Sequence, residues 1–285
     1  MSVKLSFLES GYTRHPEAMV ISGGSIRPIR FPATVAVIEH PKEGVILFDT
    51  GYSVHFYEQT RNFPERLYAL VTPAHVEPDE TAAAKLLKKG IKSKDIRKVI
   101  LSHFHADHVA GVADFPYSEY VFMSQGYKNL KKMSRFSAVK AGFLGGLLPR
   151  DFEDRAKPLQ GTDFKTGVSP LLSLDRGHDL FGDRSVIAIE LPGHAEGHMG
   201  LLVQAADGKT YFLVADAAWQ RRSYTENLRP LFLANIIFKN VSEYDQTLAK
   251  LHQLHLSEKH IQIVPCHCSE TLDSLPRFET DSRTE

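Results

Sequence analysis

The sequence lacks several features that would assign it to a class at once. Two of its 285 residues are cysteine, and they lie two positions apart, which excludes a disulfide scaffold. No stretch approaches eighteen consecutive apolar residues, and no long apolar segment follows Met1, which argues against a membrane-spanning helix and a secretory signal. Lys plus Arg and Asp plus Glu both number 34, so no net charge favours nucleic acid or a membrane surface. We therefore expect a soluble, cytoplasmic protein without nucleic-acid or membrane partners.

The chain also carries neither an internal repeat nor a low-complexity tract. Its hydrophobic fraction of 42% is enough for a sizeable core, and its length, although long for one domain, is reached by α/β hydrolases. We expect a single domain over residues 1–285, present as a monomer or a homodimer. The polar residues 269–285 are expected to form a frayed tail.

The densest cluster of reactive side chains is the segment SHFHADHVAG at residues 102–111, directly after an apolar run. Alternation along a strand sends His103 and His105 to one side, and a tight turn can bring Asp107 and His108 back toward the same point. Imidazole nitrogen and carboxylate oxygen suit Zn²⁺ or a similar ion, and four such ligands are too many for one open catalytic zinc. The spacing therefore predicts two adjacent metal ions. A run of surface histidines is the alternative, since the chain has 14 histidines.

Three distant polar residues each follow an apolar strand-like segment. His194 comes after a Pro-Gly pair that ends such a segment, Asp216 ends the next, and His267 follows a third. A buried polar group satisfied in the core is the alternative for any one of them. Their shared position favours loops that carry ligands on a rigid scaffold.

The order of these residues resembles the metallo-β-lactamase superfamily. Its pattern is a strand followed by HxHxDH, then a lone His after Gly, an Asp about twenty residues later and a late His. Here Asp216 lies 22 residues after His194, and Asp49-Thr50-Gly51 resembles the family's first-strand turn. The resemblance runs from about Thr34 to about His267. It implies an αββα sandwich, an α/β fold, with a dinuclear site at one edge between the sheets.

The resemblance also implies a division of the ligands between two metal ions. One ion would take His103, His105 and His194, the other Asp107, His108 and His267, and Asp216 would bridge them. Two such ions, zinc or else iron or manganese, could share a water, lower its pKa and generate a bridging hydroxide for hydrolysis. Asp107 could pass a proton to the leaving group, while Asp216 holds the metal pair.

Within the superfamily, the chain is most similar to the N-acyl homoserine lactonase branch. Asp107 and Asp216 together disfavour a true β-lactamase, and HxHxDH disfavours the di-iron flavoprotein oxidoreductases. The resemblance implies opening of a lactone, or cleavage of an ester, with an apolar acyl group. Those lactonases have a Tyr three residues after the bridging Asp, where this chain has Trp219, an N–H donor without a hydroxyl. Tyr224 is the nearest tyrosine downstream.

Other small-molecule chemistries remain open. A glyoxalase-II-like thioesterase would use basic residues such as Arg221, Arg222 and Lys239 for an acidic substrate. A phosphodiesterase would need a broad basic surface, and an iron-dependent sulfur dioxygenase is compatible with the same ligand types. A non-catalytic binding module ranks last, because all seven ligand positions are filled.

Two segments, 52–78 and 125–160, are predicted to be insertions near the site. The second contains an apolar stripe, interrupted by two adjacent glycines, that consists of Phe136, Phe143, Leu144, Leu147 and Leu148. As a lid, it would place Phe143 against the acyl chain of the substrate. The alternative is a stripe buried in the core or in a dimer interface.

Local patterns predict the remaining elements. Strand pairs are expected at 34–40 with 44–49 and at 200–205 with 210–215. Helices are expected over 79–90, with Asp79 as N-cap, and over 242–256, opened by the Ser-x-x-Asp pattern. If the chain around His267 stays extended, Cys266 and Cys268 point away from its face and cannot bind the same metal. A loop there would instead allow a thiolate ligand or a redox role.

Overall fold

The computed structural model describes residues 1–278, which form two β-sheets. The six strands of the first sheet lie side by side in chain order: β1 (Lys4–Pro16), β2 (Pro28–His40), β3 (Gly44–Phe48), β4 (Ile96–Ile100), β5 (Glu119–Met123) and β6 (Ala156–Leu159). The second sheet has five strands: β7 (Gly177–Asp179), β8 (Val186–Glu190), β9 (Met199–Gln204), β10 (Thr210–Ala215) and β11 (Ile261–Pro265). The first sheet therefore comes from the first part of the chain and the second from the later part.

α-Helices lie in five of the ten connections between consecutive strands, and one more follows the last strand. The described residues form α1 (Glu17–Val20), α2 (His55–Gln59), α3 (Arg66–Val71), α4 (Ala82–Lys88), α5 (Ala106–Val109), α6 (Ser124–Leu130), α7 (Arg135–Lys140), α8 (Arg221–Thr225), α9 (Val241–Ser257) and α10 (Ser269–Ser274). None of the helices in residues 1–278 is both long and apolar enough to span a bilayer.

Each sheet is buried on both faces, and this produces the layers of the fold. In the first sheet, Val37 faces a core shared with α2 and α4, while its neighbour Ile38 faces the second sheet. In the second sheet, Leu201 faces the first sheet and Leu202 packs against the α9 side. Burial on both faces explains why these strands read as continuous apolar runs. The predicted αββα sandwich is confirmed.

The strand directions bring several strand ends to one edge. β3, β4 and β5 run parallel to one another, and so do β10 and β11. β9 is antiparallel to both β8 and β10, so β8 runs in the same direction as β10. The residues that follow β8, β10 and β11 therefore emerge at the same edge of the second sheet, as required for chemistry carried on loops.

The predicted strand pairs are confirmed, but two helix starts differ. The helix expected over 79–90 begins at Ala82, and its N-cap is Thr81, whose hydroxyl accepts from the Ala84 N–H at 3.3 Å. Asp79 lies instead in a preceding 3₁₀ turn. The helix expected over 242–256 is α9, and its cap is the Asn240 side chain, which accepts from the Glu243 N–H at 3.2 Å. In both places a neighbouring side-chain oxygen satisfies the free N–H.

The prediction of a frayed tail from residue 269 is wrong for its first part. α10 begins at Ser269, and Leu272 and Leu275 are buried in the core between the sheets. The apolar residues in an otherwise polar segment explain its docking, because their burial is favourable. Residues 279–285 lie outside the described part of the chain.

The two predicted insertions contribute to the first sheet's outer layer. Segment 52–78 contains α2 and α3, and segment 125–160 contains α6, α7 and strand β6. Phe143, Leu144 and Leu147 of the apolar stripe are buried in the core on this side. That burial favours the core alternative for the stripe.

Candidate metal centre

Two groups of ligand-type side chains meet at the edge between the sheets. The first consists of His103, His105, His194 and Asp216, and the second of His108, Asp216, Cys266 and His267. Within each group the ligand atoms all lie within 4.8 Å of one another, and every member is buried. Asp216 belongs to both groups, which is the arrangement needed for a shared ligand.

The first group is organised around Asp216 Oδ2. His194 Nε2 lies 3.0 Å from this oxygen and 2.9 Å from His105 Nδ1. His103 Nε2 lies 4.0 Å from the same oxygen. Three imidazole nitrogens and a carboxylate oxygen therefore surround one small volume.

The second group is organised around the other oxygen of the same carboxylate. Asp216 Oδ1 lies 3.2 Å from His108 Nε2 and 3.0 Å from His267 Nε2. Asp107 Oδ2 lies 3.3 Å from His267 Nε2 and 3.7 Å from His108 Nε2. The structure thus brings all seven predicted ligands together.

The donor set fits two divalent cations. His103 Nε2 and His108 Nε2 are buried and have no hydrogen-bond partner among the described residues. Buried polar atoms without a partner are costly, so nitrogens in this state point to a bound group. Imidazole nitrogens with carboxylate oxygens are the ligands preferred by zinc and similar ions.

An aspartate turn fixes the orientation of His108. Asp49 follows β3 with φ of 62°, a left-handed conformation that Asp tolerates better than most residues. Its Oδ2 lies 2.7 Å from His108 Nδ1, and its carboxylate accepts from the N–H and hydroxyl of Ser102 at 2.8 Å each. His108 Nε2 is thereby directed at the centre, as outer carboxylates commonly direct metal-binding histidines. The sequence indicated the turn but not this role.

We expect Asp49→Asn to weaken metal binding about 10- to 100-fold while leaving the fold intact, because the carboxylate that orients His108 is lost. Metal affinity measured by competition with a chelator checks this result. Asp114→Asn is the matched control, since Asp114 also accepts from a serine hydroxyl (Ser53, 2.9 Å) and a histidine nitrogen (His55, 2.9 Å) outside the ligand groups. Equal metal affinity in the two variants would contradict the assigned role.

The side chains of Trp219 and His198 help to hold Asp216 in place. Trp219 Nε1–H donates to Asp216 Oδ2 at 3.0 Å, so the predicted substrate residue is at the site but its donor is already used. The Asp216 backbone N–H donates to His198 Nε2 at 3.1 Å, while His198 Nδ1 lies 3.0 Å from the Leu191 carbonyl. His198 lies outside both ligand groups, yet its hydrogen bond to the Asp216 backbone helps to position the shared carboxylate. Its second hydrogen bond could not be read from the sequence.

Burial and neighbouring charges set the ionisation of the centre. Burial lowers the pKa of His103 and His105 well below the usual value, which keeps their lone pairs available. Burial also lowers the pKa of His198 to about 3, in agreement with its role as a neutral acceptor. For Asp216 burial acts to raise the pKa, but His267, His194 and His108 outweigh it and hold the pKa well below the usual value.

A cavity of about 240 Å³ opens beside the first ligand group. His105 and His194 form part of its wall. The rest of the lining is mainly apolar, with charges at Lys140, Glu196 and Lys239; the apolar members are Phe104, Leu130, Met133, Ala141, Ala195, Ile237 and Phe238. This cavity is the candidate substrate pocket.

The structure separates the two remaining predicted substrate residues from this pocket. Tyr224 lies in α8, donates its hydroxyl to the Ile263 carbonyl at 3.3 Å and lines a different groove with Lys259. Phe143 packs behind Phe104, with ring centroids 6.2 Å apart, and is 6% exposed. The sequence around Tyr224 does not indicate that α8 directs this side chain away from the pocket. The sequence around Phe143 likewise does not indicate that this ring is buried in the core.

Two tyrosines of the 52–78 segment are electrostatically coupled to the centre. Burial raises the pKa of Tyr52 and of Tyr68 well above the usual value, and the charge of Asp107 raises both further. Both hydroxyls therefore stay protonated. The Tyr52 hydroxyl is buried and has no partner among the described residues.

Comparisons with known proteins agree with this architecture. The N-acyl homoserine lactonase AttM of Rhizobium radiobacter is 25% identical over 236 residues, covering 82% of this chain and 84% of AttM. A mutant of AiiA from B. thuringiensis, solved with N-decanoyl-L-homoserine at its active site, has a TM-score of 0.74 at 18% identity, covering 98% of both chains. The dizinc quorum-quenching lactonase AidC has a TM-score of 0.63 at 14% identity, covering 94% of this chain and 90% of AidC. These structural likenesses bear on the fold alone.

The family model with the description "Metallo-beta-lactamase superfamily" matches residues 28–255. That range includes the HxHxDH segment, His194 and Asp216, and His267 follows it. The chain belongs to the metallo-β-lactamase superfamily and is a metal-dependent hydrolase.

Proposed function

We propose that this protein hydrolyses a lactone with an apolar acyl chain, and that N-acyl homoserine lactones are the substrate class to test first. The observation that carries the proposal is the apolar pocket that shares His105 and His194 with the first ligand group. A substrate in this pocket would present its carbonyl to the centre and its chain to apolar side chains. The similarity to AttM supports the same class.

Two bound ions, most simply zinc, would polarise the substrate carbonyl and supply a water that is nucleophilic at neutral pH. His103, His105 and His194 would hold one ion, while Asp107, His108 and His267 would hold the other, with Asp216 shared. Asp107 is the residue we assign to proton transfer toward the leaving oxygen, because its carboxylate is 13% exposed whereas that of Asp216 is 4% exposed. Iron or manganese would be compatible with the nitrogen and oxygen ligands.

The rival thioesterase function needs free basic side chains for an acidic substrate. Arg221 pairs with Glu270 at 2.7 Å, and Arg222 pairs with Glu226 at 2.8 Å. Lys239, which lines the pocket, pairs with Glu196 at 3.0 Å. The three residues that would recognise acidic groups are thus already neutralised, which favours an apolar acyl substrate.

The experiment is metal analysis followed by a substrate screen. Protein purified without chelator is expected to hold close to two ions per chain, about the number that a two-metal hydrolase requires. The same sample is then assayed against N-acyl homoserine lactones, thioesters, phosphodiesters and β-lactams. Lactone turnover well above the others supports the proposal. A dinuclear protein that prefers thioesters or phosphodiesters would overturn the substrate assignment.

We expect kcat/KM to rise with acyl length, because each buried methylene contributes about 0.8 kcal/mol and two carbons about tenfold. Met133→Ala should flatten this trend, since Met133 lines the pocket and is partly exposed. Phe136→Ala is the control, because Phe136 lies in α7 with 57% exposure and is not part of the pocket lining. A length series on both variants checks the expectation.

Phe143→Ala distinguishes the two interpretations of the apolar stripe. As a core residue, Phe143 would stabilise the fold by about 3 kcal/mol or more, so its loss should lower the melting temperature and preserve the length trend. A flattened trend with an unchanged melting temperature would instead support the lid.

A further inference from the structure

The second ligand group contains a sulfur atom that the predicted ligand set does not include. Cys266 Sγ lies 2.7 Å from Asp216 Oδ1, the same oxygen that approaches His108 Nε2 and His267 Nε2. These four ligand-type atoms all lie within 4.8 Å of one another. Cys266 is 6% exposed, and its contact with Asp216 places the thiol at the centre.

The chain after β11 does not stay extended, so the condition under which Cys266 would point away from His267 is not met. β11 ends at Pro265, and the backbone turns immediately afterwards. The turn breaks the alternation that would have sent Cys266 and His267 to opposite sides. Both side chains consequently approach the same carboxylate oxygen.

A hydrogen bond from the Cys266 thiol to Asp216 would account for the sulfur, but it would leave the buried His108 Nε2 without a partner. His108 Nδ1 is engaged by Asp49 and His267 Nδ1 by the Pro32 carbonyl at 2.7 Å, so both Nε2 atoms face the centre. His108 Nε2 is buried and makes no hydrogen bond among the described residues, although it lies 3.2 Å from Asp216 Oδ1. A cation among these atoms would satisfy His108 Nε2, His267 Nε2, Asp216 Oδ1 and the sulfur together.

We propose that Cys266 Sγ is a further ligand of the second metal ion, in addition to Asp107, His108, His267 and the shared Asp216. The thiol proton passes to solvent as the metal–sulfur bond forms. This inference rests on the proposed dinuclear hydrolase and specifies its second ion. A sulfur ligand selects zinc, ferrous iron or cobalt over manganese and magnesium, which prefer oxygen.

The two sites therefore differ in selectivity. The first group contains imidazole nitrogens and a carboxylate, whereas the second adds the softer sulfur. Cys266→Ser should lower the preference for zinc over manganese at the second site by at least about tenfold while leaving the first site unchanged.

The chain supplies a matched control for this cysteine. Cys268 is also buried, but its sulfur lies 3.5 Å from the Arg221 N–H and does not belong to either ligand group. Cys268→Ser therefore removes a buried thiol two residues away without changing the proposed ligands.

The test uses full-length protein loaded with cobalt(II) or with zinc. Cobalt-loaded wild type and Cys268→Ser are expected to have a thiolate-to-cobalt charge-transfer band in the near ultraviolet, and Cys266→Ser to lack it. X-ray absorption of the zinc form should detect a sulfur neighbour at about 2.3 Å in wild type. Because this measurement needs no variant, a Cys266 substitution that fails to fold leaves the test intact.

Two bound ions with neither the band nor a sulfur neighbour would overturn the inference. Lactone turnover is measured on the same samples to separate this outcome from failure of the proposed function. Turnover without a sulfur signature rejects the cysteine ligand alone. A sulfur signature without lactone turnover rejects the substrate assignment alone.

Discussion

Asp216→Ala is expected to release both metal ions and to lower kcat/KM by at least about 10³-fold, equivalent to about 4 kcal/mol of transition-state stabilisation. The reason is that one carboxylate serves both groups, with Oδ2 3.0 Å from His194 Nε2 and Oδ1 3.0 Å from His267 Nε2. Its removal takes one ligand from each ion and also leaves the Trp219 N–H without its acceptor. Metal content by elemental analysis and kcat/KM with the best lactone check the expectation.

The matched control for this substitution is Asp183→Ala. The Asp183 carboxylate also contacts a buried histidine, with Oδ2 3.1 Å from His40 Nε2, but it lies outside both ligand groups. This variant is expected to keep both ions and full activity. If Asp216→Ala kept two tightly bound ions, the shared-ligand assignment would be wrong.

Gly142→Ala is expected to displace His105 and to lower kcat/KM by about 10²-fold or more, since misplacing a catalytic group by about 1 Å has an effect of that size. Gly142 has φ of 74°, and a Cβ there would lie 2.5 Å from His105 Cδ2 and 2.8 Å from Nε2. Either the ring or the segment after α7 must move, and the first ligand group loses its geometry. Metal content should fall toward one ion per chain, which separates this effect from a change in substrate binding.

Gly145→Ala serves as the comparison within the same segment. A Cβ at Gly145 would have its nearest neighbour, Phe143 Cε1, at 3.5 Å, which is ordinary van der Waals contact. Metal content and activity should therefore be close to wild type. Unchanged metal binding in Gly142→Ala would mean that His105 and this segment can separate without loss of the centre.

The candidate ligands were predictable because each has a local signal in the sequence. HxHxDH follows an apolar strand, and His194, Asp216 and His267 each follow another, so strand direction alone brings them to one edge. The family resemblance then implies the proposed division of these residues between two ions. Local sequence and strand order are therefore enough to predict the seven candidate ligands.

The supporting residues were not predictable in the same way. Cys266 approaches Asp216 only because the chain turns after Pro265, and Asp49 reaches His108 only because the two segments pack together. Tyr224 was proposed from its nearness to Asp216 in sequence, yet α8 turns it toward Ile263. Contacts of this kind depend on tertiary packing, which no spacing rule reports.

The two sheets come from separate parts of the chain, and the candidate ligands connect them. The first sheet is complete by residue 159 and the second begins at residue 177, so each sheet comes from one continuous half of the chain. Each ligand group takes side chains from both halves: His103 faces His194, and His108 faces His267. Neither half therefore supplies a complete ligand group, and binding of the ions would add its free energy to the docking of the halves. The two metal ions would stabilise the docked arrangement of the sheets. The free energy needed to separate the sheets would therefore increase with the free metal concentration.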